Sequence, residues 1–322
     1  MSAKAKKEIR IGGRSVPLSN PDKVLFPENG ITKAELVDYY RSIARPMLTH
    51  LKGRPLVMER YPDGYDGKSF FHKDIPDYFP DWIHTVQVPK QGGSITMAVC
   101  DDTATLVYLA NQACITPHPW LSRADCLDCP DRLVFDLDPP GDGTDDFESV
   151  RWSARQLGDL LTQLGLRPVV MTTGSRGLHL LVLLDQRTDF ATARHFARRV
   201  ADTLVACHSG RLTTEPRKNK RQGRLYLDIQ RNAYAQTSVA PYAIRARPHA
   251  PVATPLEWDE LDDPGLGPRR WTLRTLPGRL DKYGDPWKGL SRCRRSLAGA
   301  ERRLEALAEE EFPAARGAAP SR

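Results

Sequence analysis

Apolar positions are spaced most regularly between residues 130 and 230, where short runs of strand character alternate with longer runs of helical period. The order of these runs predicts four strands and two helices, arranged β-α-β-β-α-β. The predicted elements are a strand at 133–138, a helix at 147–164, strands at 168–172 and 178–184, a helix at 190–207 and a strand at 224–230. This order is typical of a ferredoxin-like, or split βαβ, sheet, in which the first strand lies between the third and the last.

The pattern is weaker on either side of this unit. Thr32 and Glu35 form a capping box at the start of an amphipathic helix predicted at 32–48. A second helix is expected at 103–113, and a third at 296–311. Short strands and loops are expected between the first two helices, so the N-terminal third is predicted to be an α/β addition to the sheet.

These elements predict an α+β fold within a single main domain. A Pro-rich segment follows residue 240, and the last eleven residues have the composition of a disordered tail. The predicted organisation is a basic N-terminal tail (1–19), a domain at 20–290 with its core at 130–250, and a C-terminal helix with the disordered tail (291–322).

Composition adds an argument from charge. The chain has 322 residues, with 47 Lys and Arg against 40 Asp and Glu, and the net charge of +7 favours a polyanionic partner. Its 40% hydrophobic and 27% charged content is typical of a soluble globular protein. The sequence has no apolar run of about 18 residues that could span a membrane, and no secretory signal. We therefore expect no membrane partner and a cytoplasmic location.

The cysteines raise the question of a metal site. Without an export signal, all six are expected to be reduced thiols. Cys126 and Cys129 form a lone CxxC, whereas a structural zinc site needs a second pair of ligands. His118 lies upstream, but its spacing matches no zinc ribbon. Zinc is therefore the disfavoured alternative, and the role of the pair stays open.

Three carboxylates are predicted to meet on one face of the sheet. In the strand LVFDLD, Asp136 and Asp138 point to the face opposite Leu133 and Leu137, because side chains alternate along a strand. Asp228 has the matching phase on the last strand, which the fold places beside the first. Neighbouring carboxylates repel each other unless a cation is bound, and a hard divalent ion prefers oxygen ligands. This pattern predicts a two-metal phosphoryl-transfer site, although DxD pairs are also common at exposed strand ends.

A glycine-rich turn is predicted beside these carboxylates. The segment from Gly174 to Gly177 precedes the third strand and exposes backbone N–H groups that could bind phosphate oxygens, with Arg176 adding positive charge. His179 lies just inside the strand. The alternative is a plain hairpin turn with a core histidine, and the expected proximity to the DxD pair favours the phosphate site.

Two further features suggest a nucleic-acid surface. Seven basic residues lie between Arg211 and Arg231, and this run leads into the strand that carries the third carboxylate. Phe70 and Phe71 lie among cationic residues in a polar context, as a base-stacking platform requires. An ordinary core pair of phenylalanines is an equally good interpretation of their spacing.

The motifs resemble those of a known family. The segments PDKVLFP, SFFHKD, ITPHPW, RLVFDLDPP, TTGSRGLHL, LYLDIQRN and VAPYAIRARPHAPVATPLEWDEL are similar to the polymerase domain of bacterial ligase D. That domain belongs to the archaeo-eukaryotic primase superfamily and serves non-homologous end joining. The resemblance extends over residues 20–290 and implies an RRM-like catalytic core, a template-dependent nucleotidyltransferase, NTP or dNTP substrates, and Mn²⁺ or Mg²⁺.

The resemblance also implies roles for individual residues. It assigns the metals to Asp136, Asp138 and Asp228. It assigns the incoming nucleotide to His118, Ser175, Arg176, His179 and Arg245.

On the DNA, the resemblance assigns the 5′-phosphate of the downstream strand to Lys23 and Lys33. It assigns further contacts with the nucleic acid to Arg60, Phe70, Phe71 and Arg221. The implied partners are gapped or broken DNA ends with a 5′-phosphate, a DNA ligase and an end-binding protein, in the bacterial cytoplasm at the nucleoid.

Two departures from the family pattern stand out. Arg176 takes the place of a usual lysine, which keeps the charge and changes the geometry. Arg231 precedes Asn232 where the family usually has Gln, so a nucleotide contact at position 231 is not carried over. Non-catalytic bridging of DNA ends and primer-independent synthesis remain as alternative functions. The chain has no room for a ligase as well, so a stand-alone polymerase or an excised domain is expected.

Overall fold

The computed structural model describes residues 7–141 and 147–311. Within these ranges the chain is a mixed α/β structure with seven α-helices and seventeen strands, six of which form one central sheet. The predicted disordered tail at 312–322 lies outside the described residues. Among the described helices, none combines the length and apolar character that a membrane crossing requires.

The N-terminal half packs small sheets around three helices. Its strands are β1 (Lys7–Ile11), β2 (Arg14–Leu18), β3 (Val24–Phe26), β4 (Ile31–Thr32), β5 (Leu56–Arg60), β6 (Phe70–His72), β7 (Thr85–Lys90), β8 (Gly93–Ala98), β9 (Cys114–Pro119), β10 (Ser122–Arg123) and β11 (Cys126–Pro130). Its helices are α1 (Lys33–Ser42), α2 (Ala44–Leu51) and α3 (Thr103–Asn111), with a 3-10 segment at Pro27–Asn29. Strands β6, β5 and β9 form a three-stranded sheet in that order.

The helix predicted at 32–48 is divided into two helices. The capping box is present, because the Thr32 side chain accepts from the backbone N–H of Glu35 while the Thr32 N–H donates to the Glu35 carboxylate. The first helix ends at Ser42. The reason is Pro46, whose ring in a continuous helix would clash with the carbonyl of Ser42, four residues earlier.

The prediction of an N-terminal tail at 1–19 is wrong from Lys7 onward. Strands β1 and β2 form an antiparallel hairpin around Gly12 and Gly13, whose φ angles of 56° and 81° suit a tight turn. Val16 and Leu18 of β2 are buried in the core against α3. Burial of these alternating apolar side chains holds the segment on the domain.

The second half contains the central sheet and its helices. These elements are β12 (Arg132–Asp138), α4 (Phe147–Gln163), β13 (Pro168–Thr172), β14 (Leu178–Leu183), α5 (Phe190–Cys207), β15 (Leu212–Thr213), β16 (Leu225–Asp228), β17 (Pro255–Leu256), α6 (Leu276–Tyr283) and α7 (Leu297–Glu311). Further 3-10 segments lie at Lys218–Lys220, Trp258–Asp262 and Leu290–Cys293.

The strand order places β12 at the centre of the sheet. The order is β15-β16-β12-β14-β13-β17, and β12 pairs antiparallel with both β14 and β16. The first strand of the predicted unit therefore lies between the third and the last, as the sequence pattern indicates. This neighbourhood determines which side chains meet at the end of β12.

The two faces of the sheet belong to different cores. Phe135 and its inward neighbours on β12 pack against α4 and α5, with Leu157 and Phe196 in the same buried cluster. Val134, on the opposite face, belongs to the core of the N-terminal half. The face that carries Asp136 and Asp138 is therefore directed towards the N-terminal half, which supplies the other wall of the site.

The expectation that all six cysteines are reduced is not met. Cys126 and Cys129, both in strand β11, form a disulfide with their Cα atoms 5.4 Å apart. This separation lies in the range that disulfide geometry requires. The paired sulfurs leave no thiolates for the zinc alternative. Cys100, Cys114, Cys207 and Cys293 are not part of a disulfide in the described residues.

Candidate active site

Strand register brings two of the predicted carboxylates side by side. Asp136 on β12 is paired with Asp228 on β16 and, across the other edge, with His179 on β14. Asp138 lies two residues further along β12, opposite Tyr226. Because neighbouring strands are about 4.8 Å apart, this pairing puts three acidic groups at one end of the sheet.

Asp138 is held between two arginines. The Nη2 atom of Arg176 lies 2.6 Å from Oδ1 of Asp138, and the Nη1 atom of Arg221 lies 3.0 Å from Oδ2. Arg221 is buried, stacks on the ring of Tyr226, and also donates to the carbonyls of Glu215 and Pro216. The structure therefore places Arg221 inside the site, on a carboxylate, rather than on the open basic run.

Asp136 is stabilised in its charged form. Its Oδ2 lies 3.4 Å from Nε2 of His179. Burial opposes ionisation of Asp136, but its interactions with His179, Arg231 and Arg245 outweigh burial, so the pKa of the carboxyl is lowered. The carboxylate is thus ionised at neutral pH and available as a ligand.

Asp228 is held mainly by its own strand. One carboxylate oxygen accepts from the backbone N–H of Gln230 at 2.7 Å and from the hydroxyl of Tyr226 at 3.2 Å. In the described part of the chain, no cluster of three His, Cys, Asp or Glu side chains has metal-binding spacing. Each carboxylate is instead turned towards a protein donor. The donor set still fits a hard divalent ion, since it consists of carboxylate oxygens on neighbouring strands.

The turn between β13 and β14 is held by its own threonine. The hydroxyl of Thr173 accepts from the N–H groups of Ser175 and Gly177, each at 3.2 Å. These two N–H groups are therefore engaged, whereas the sequence analysis expected them to be exposed. A Cβ on Gly177 would lie 1.8 Å from the carbonyl oxygen of Leu137, so only glycine fits where the turn crosses β12. This close approach positions Arg176 beside the carboxylates.

A pocket of about 290 Å³ opens beside these groups. Its lining joins Asp136 and Asp138 to the turn and to side chains of the N-terminal half. The remaining lining residues are Glu59, Phe71, His118, Thr173, Ser175, Arg176, Gly177, His179, Arg231, Thr237, Ser238, Val239 and Arg245. The nucleotide-binding residues implied by the resemblance therefore share one cavity with two of the three carboxylates.

Glu59 is the main residue of the pocket that the sequence analysis missed. It accepts from Nε2 of His118 at 3.0 Å and from the hydroxyl of Tyr61 at 2.6 Å. Burial raises the pKa of Glu59, but these hydrogen bonds outweigh it and leave the pKa lowered. Burial lowers the pKa of His118 despite the neighbouring carboxylate. Glu59 lies on β5 and meets His118 only through the pairing of β5 with β9.

Arg245 and Arg231 add positive charge to the pocket. The Nη1 atom of Arg245 donates to the carbonyl of Thr173 at 3.1 Å, and its side chain touches the position that a Cβ on Gly174 would take. Arg231 is exposed at the rim. It lines the pocket although the departure from the family pattern had left its position unassigned.

Phe70 and Phe71 are exposed on strand β6. Their exposed fractions are 41% and 61%, so the alternative of a core pair is wrong. The guanidinium of Arg60 lies 5.3 Å from the ring centre of Phe70, and the ring of Phe71 meets His118 edge-on at 6.0 Å. Phe71 lines the carboxylate pocket, whereas Phe70, with Arg60, lies on the other face of the strand.

Lys23 and Lys33 lie close to each other, just before β3 and just after β4, which pair with each other. The backbone N–H of Lys33 donates to the carbonyl of Lys23 at 2.8 Å. Lys23 pairs with Asp63 at 2.8 Å, whereas Lys33 is buried and donates to Ser19 at 3.2 Å. Burial and then repulsion by Lys23 lower the pKa of Lys33. The positive charge of Lys33 is therefore not balanced by its hydrogen bond to the neutral hydroxyl of Ser19.

Comparison with known proteins shows the family. The family described as the LigD primase-polymerase domain matches residues 32–287. The chain belongs to this family. It is 38% identical over 272 residues to the multifunctional non-homologous end joining protein LigD of Mycolicibacterium smegmatis, a match that covers 84% of the chain and 35% of that protein.

Other relatives extend the family across bacteria. The bifunctional non-homologous end joining protein LigD of Bacillus subtilis is 32% identical over 83% of the chain and 42% of its own length. The polymerase domain of Mycobacterium tuberculosis ligase D, solved in complex with DNA, superposes with a TM-score of 0.81 at 34% identity. That match covers 87% of the chain and 99% of the solved domain. The chain spans about a third to two fifths of the length of its curated relatives.

Proposed function

We propose that the protein is a template-dependent nucleotidyltransferase that extends primer ends and fills gaps on 5′-phosphorylated DNA during non-homologous end joining. The observation that carries this proposal is the register of β12, which pairs Asp136 with Asp228 and puts Asp138 in the same cationic pocket. The family membership supports it. On this proposal the four strands β16, β12, β14 and β13 form the RRM-like sheet of a primase-polymerase core, within a catalytic domain at 20–290.

The three carboxylates would hold Mn²⁺ or Mg²⁺. The chemistry of the donor set supports this, because Asp136, Asp138 and Asp228 provide oxygen ligands from adjacent strands. When bound, the ions lower the pKa of the primer hydroxyl and offset charge on the leaving pyrophosphate. The chain's own contribution is to keep Asp136 ionised, through the cations around it, and to fix the direction of Asp138 through Arg221.

The positive side chains of the pocket would bind the triphosphate. Arg176, Arg245 and His179 face the same cavity as the carboxylates, with Ser175 at the turn. Arg176 would exchange Asp138 for a phosphate oxygen, since its side chain is a quarter exposed and makes a single hydrogen bond to the carboxylate. His118, held neutral by burial, would face the nucleotide from the N-terminal half.

The exposed platform would contact DNA. Phe70 and Phe71 offer faces on which template bases stack, and Arg60 adds a cation beside them. Lys23 and Lys33 would bind the 5′-phosphate of the downstream strand. A related domain solved in complex with DNA supports DNA as the partner. A DNA ligase and an end-binding protein would be the protein partners, in the cytoplasm at the nucleoid.

The proposal is tested by primer extension on a gapped duplex with a 5′-phosphate. Asp136→Ala and Asp138→Ala are expected to reduce nucleotide addition by on the order of 10²–10³-fold or more, because charge stabilisation at the reacting phosphate is lost. Affinity for the same duplex, measured by anisotropy, should remain close to that of the unaltered protein. Asp128→Ala, at an exposed position outside the pocket, is the matched control.

Other outcomes would identify a different function. An Asp136→Ala variant that extends the primer at the normal rate would overturn the proposed mechanism. An unaltered protein that joins two DNA ends without any metal-dependent extension would be an end-bridging module. Synthesis without a supplied primer would indicate de novo primase activity.

A further inference from the structure

A second cavity, larger than the catalytic pocket, lies at the opposite end of strand β12. It has a volume of about 610 Å³ and lies between α2, the start of β12, α6 and the 3-10 segment at Leu290–Cys293. Arg132 and Asp138 are six residues apart along β12, or about 20 Å at the rise of a strand. The cavity is therefore separate from the carboxylate pocket, and the proposed polymerase function does not use it.

The cavity contains a concentration of positive charge around one aspartate. Asp131 is almost fully buried and lies 2.5 Å from Arg54, 3.6 Å from Arg132 and 3.5 Å from Arg294. Arg54 and Arg132 are themselves buried. One carboxylate balances one guanidinium, so this cluster has an excess of two positive charges.

The rest of the lining does not remove this excess. Asp281 and Asp285 also line the cavity, but so do Arg45, Arg123 and Lys288. Asp285 already accepts hydrogen bonds from the hydroxyl of Tyr242 and the backbone N–H of Trp287. Counted over the lining, six Lys and Arg side chains face three Asp side chains.

Several buried polar atoms of the residues around this cavity have no hydrogen-bond partner. Among the described residues, these atoms are Nε of Arg54, Nε of Arg132, Oδ1 of Asp131, Nε2 of His50 and Nε1 of Trp287. Nε of Arg132 lies 3.6 Å from Oδ1 of Asp131, so these two atoms face each other. Because these atoms are covered by protein, a ligand in the cavity would meet the more exposed cations of the lining, among them Arg294, whose side chain is 38% exposed.

Part of the lining is apolar. Ile43, Leu183, Leu280 and Leu290 line the cavity, together with prolines from α2 and α6. The lining thus combines cationic side chains with apolar ones. From this combination we propose that it is a binding site for a small organic phosphate, whose phosphate group meets the arginines and whose apolar part meets the leucines.

The proposal is tested with phenyl phosphate and inorganic phosphate as probes. Binding to the full chain is measured by titration calorimetry at constant ionic strength in the presence of EDTA. Phenyl phosphate is expected to bind about tenfold more tightly than inorganic phosphate, because its ring buries apolar surface. Arg294→Ala should weaken both by about tenfold or more through the lost charged contact.

Control variants separate this site from the other cationic sites. Arg292→Ala, on the same 3-10 segment but outside the lining, should leave binding unchanged. Lys23→Ala and Arg245→Ala each remove a cation from one of the two other proposed phosphate sites. In both variants the tighter binding of phenyl phosphate over inorganic phosphate should remain. Leu280→Trp fills part of the cavity and should abolish binding of phenyl phosphate with every arginine intact.

The proposal fails if the unaltered protein binds neither probe. It also fails if binding persists in Arg294→Ala and Leu280→Trp but is lost in Lys23→Ala or Arg245→Ala. Circular dichroism and thermal unfolding of each variant show that it is folded, and Leu280→Trp provides an independent test should Arg294→Ala not fold.

Discussion

The two ends of strand β12 both place an aspartate among arginines, but they differ in exposure. The side chain of Asp138 is 21% exposed and is paired with Arg176 and Arg221. The side chain of Asp131 is 1% exposed and is surrounded by Arg54, Arg132 and Arg294.

The difference in exposure determines whether each aspartate can exchange its ionic partners. A partly exposed carboxylate can exchange an arginine for another cation at little cost, because water screens both groups. A buried carboxylate cannot lose its partners without leaving a charge in a medium of low polarity. We therefore expect substitutions at the Asp138 end to change activity, and substitutions at the Asp131 end to change stability.

The strongest test of this comparison is Asp131→Ala. Removing the carboxylate leaves buried Arg54 and Arg132 without a counter-charge, and we expect the free energy of unfolding to fall by about 3–5 kcal/mol. Urea denaturation in a buffer free of phosphate measures it. Asp128→Ala, at an exposed position three residues earlier, should change stability by less than about 0.5 kcal/mol. A loss below about 1 kcal/mol in Asp131→Ala would show that the cluster is not a structural ion pair.

A smaller effect is expected from pH at the same end of the strand. Burial, and then repulsion by Arg132 and Arg54, lower the pKa of His50 to about 3. The unfolded chain has an ordinary histidine pKa of about 6.5. Between these values the unfolded state binds one more proton than the folded state, so stability falls as pH decreases.

This coupling predicts a loss of about 2 kcal/mol between pH 7 and pH 5 from His50 alone, at about 1.4 kcal/mol per pH unit below 6.5. His50→Gln should remove this part of the pH dependence. His195→Gln, which replaces an exposed histidine on α5, should leave it intact. Identical pH profiles for His50→Gln and the unaltered protein in urea denaturation would contradict the prediction.

The sequence predicts the Asp138 end far better than the Asp131 end, for a physical reason. Strand alternation fixes the face of Asp136, Asp138 and Asp228, and the order of elements fixes which strands are neighbours. These are local signals, and the register of β12 with β16 follows from them.

Contacts between distant segments leave no such signal. Arg54 and Asp131 are 77 residues apart and meet only when the N-terminal half packs on the sheet. Glu59 likewise reaches His118 through the pairing of β5 with β9. Arg221 points inward because it stacks on the ring of Tyr226 and donates to two backbone carbonyls. Its position within a basic run of the sequence predicts an exposed side chain instead.

The N-terminal hairpin shows why composition alone is a poor predictor of local structure. Gly12 and Gly13 between two short runs are a turn signal, and Val16 and Leu18 alternate with polar residues. The lysines before them gave the segment the composition of a solvated tail. The segment is folded because Val16 and Leu18 are buried against α3. Amino-acid composition does not indicate whether two such side chains are buried.

The smallest expected effect is that of Arg176→Lys at the open end. Arg176 makes one hydrogen bond to Asp138, and Arg221 holds the other carboxylate oxygen, so a lysine can supply the same charge from the same turn. We expect the rate of nucleotide addition to change by less than about threefold, because the charge is kept and only the fork geometry of the guanidinium is lost. Steady-state extension over a range of nucleotide concentrations measures this.

Arg176→Ala is the matched comparison and should raise the KM for the nucleotide by about tenfold or more, since a charged contact is removed. If Arg176→Lys is as impaired as Arg176→Ala, the guanidinium binds the triphosphate through its planar fork, and the open end of β12 is as geometrically constrained as the buried one.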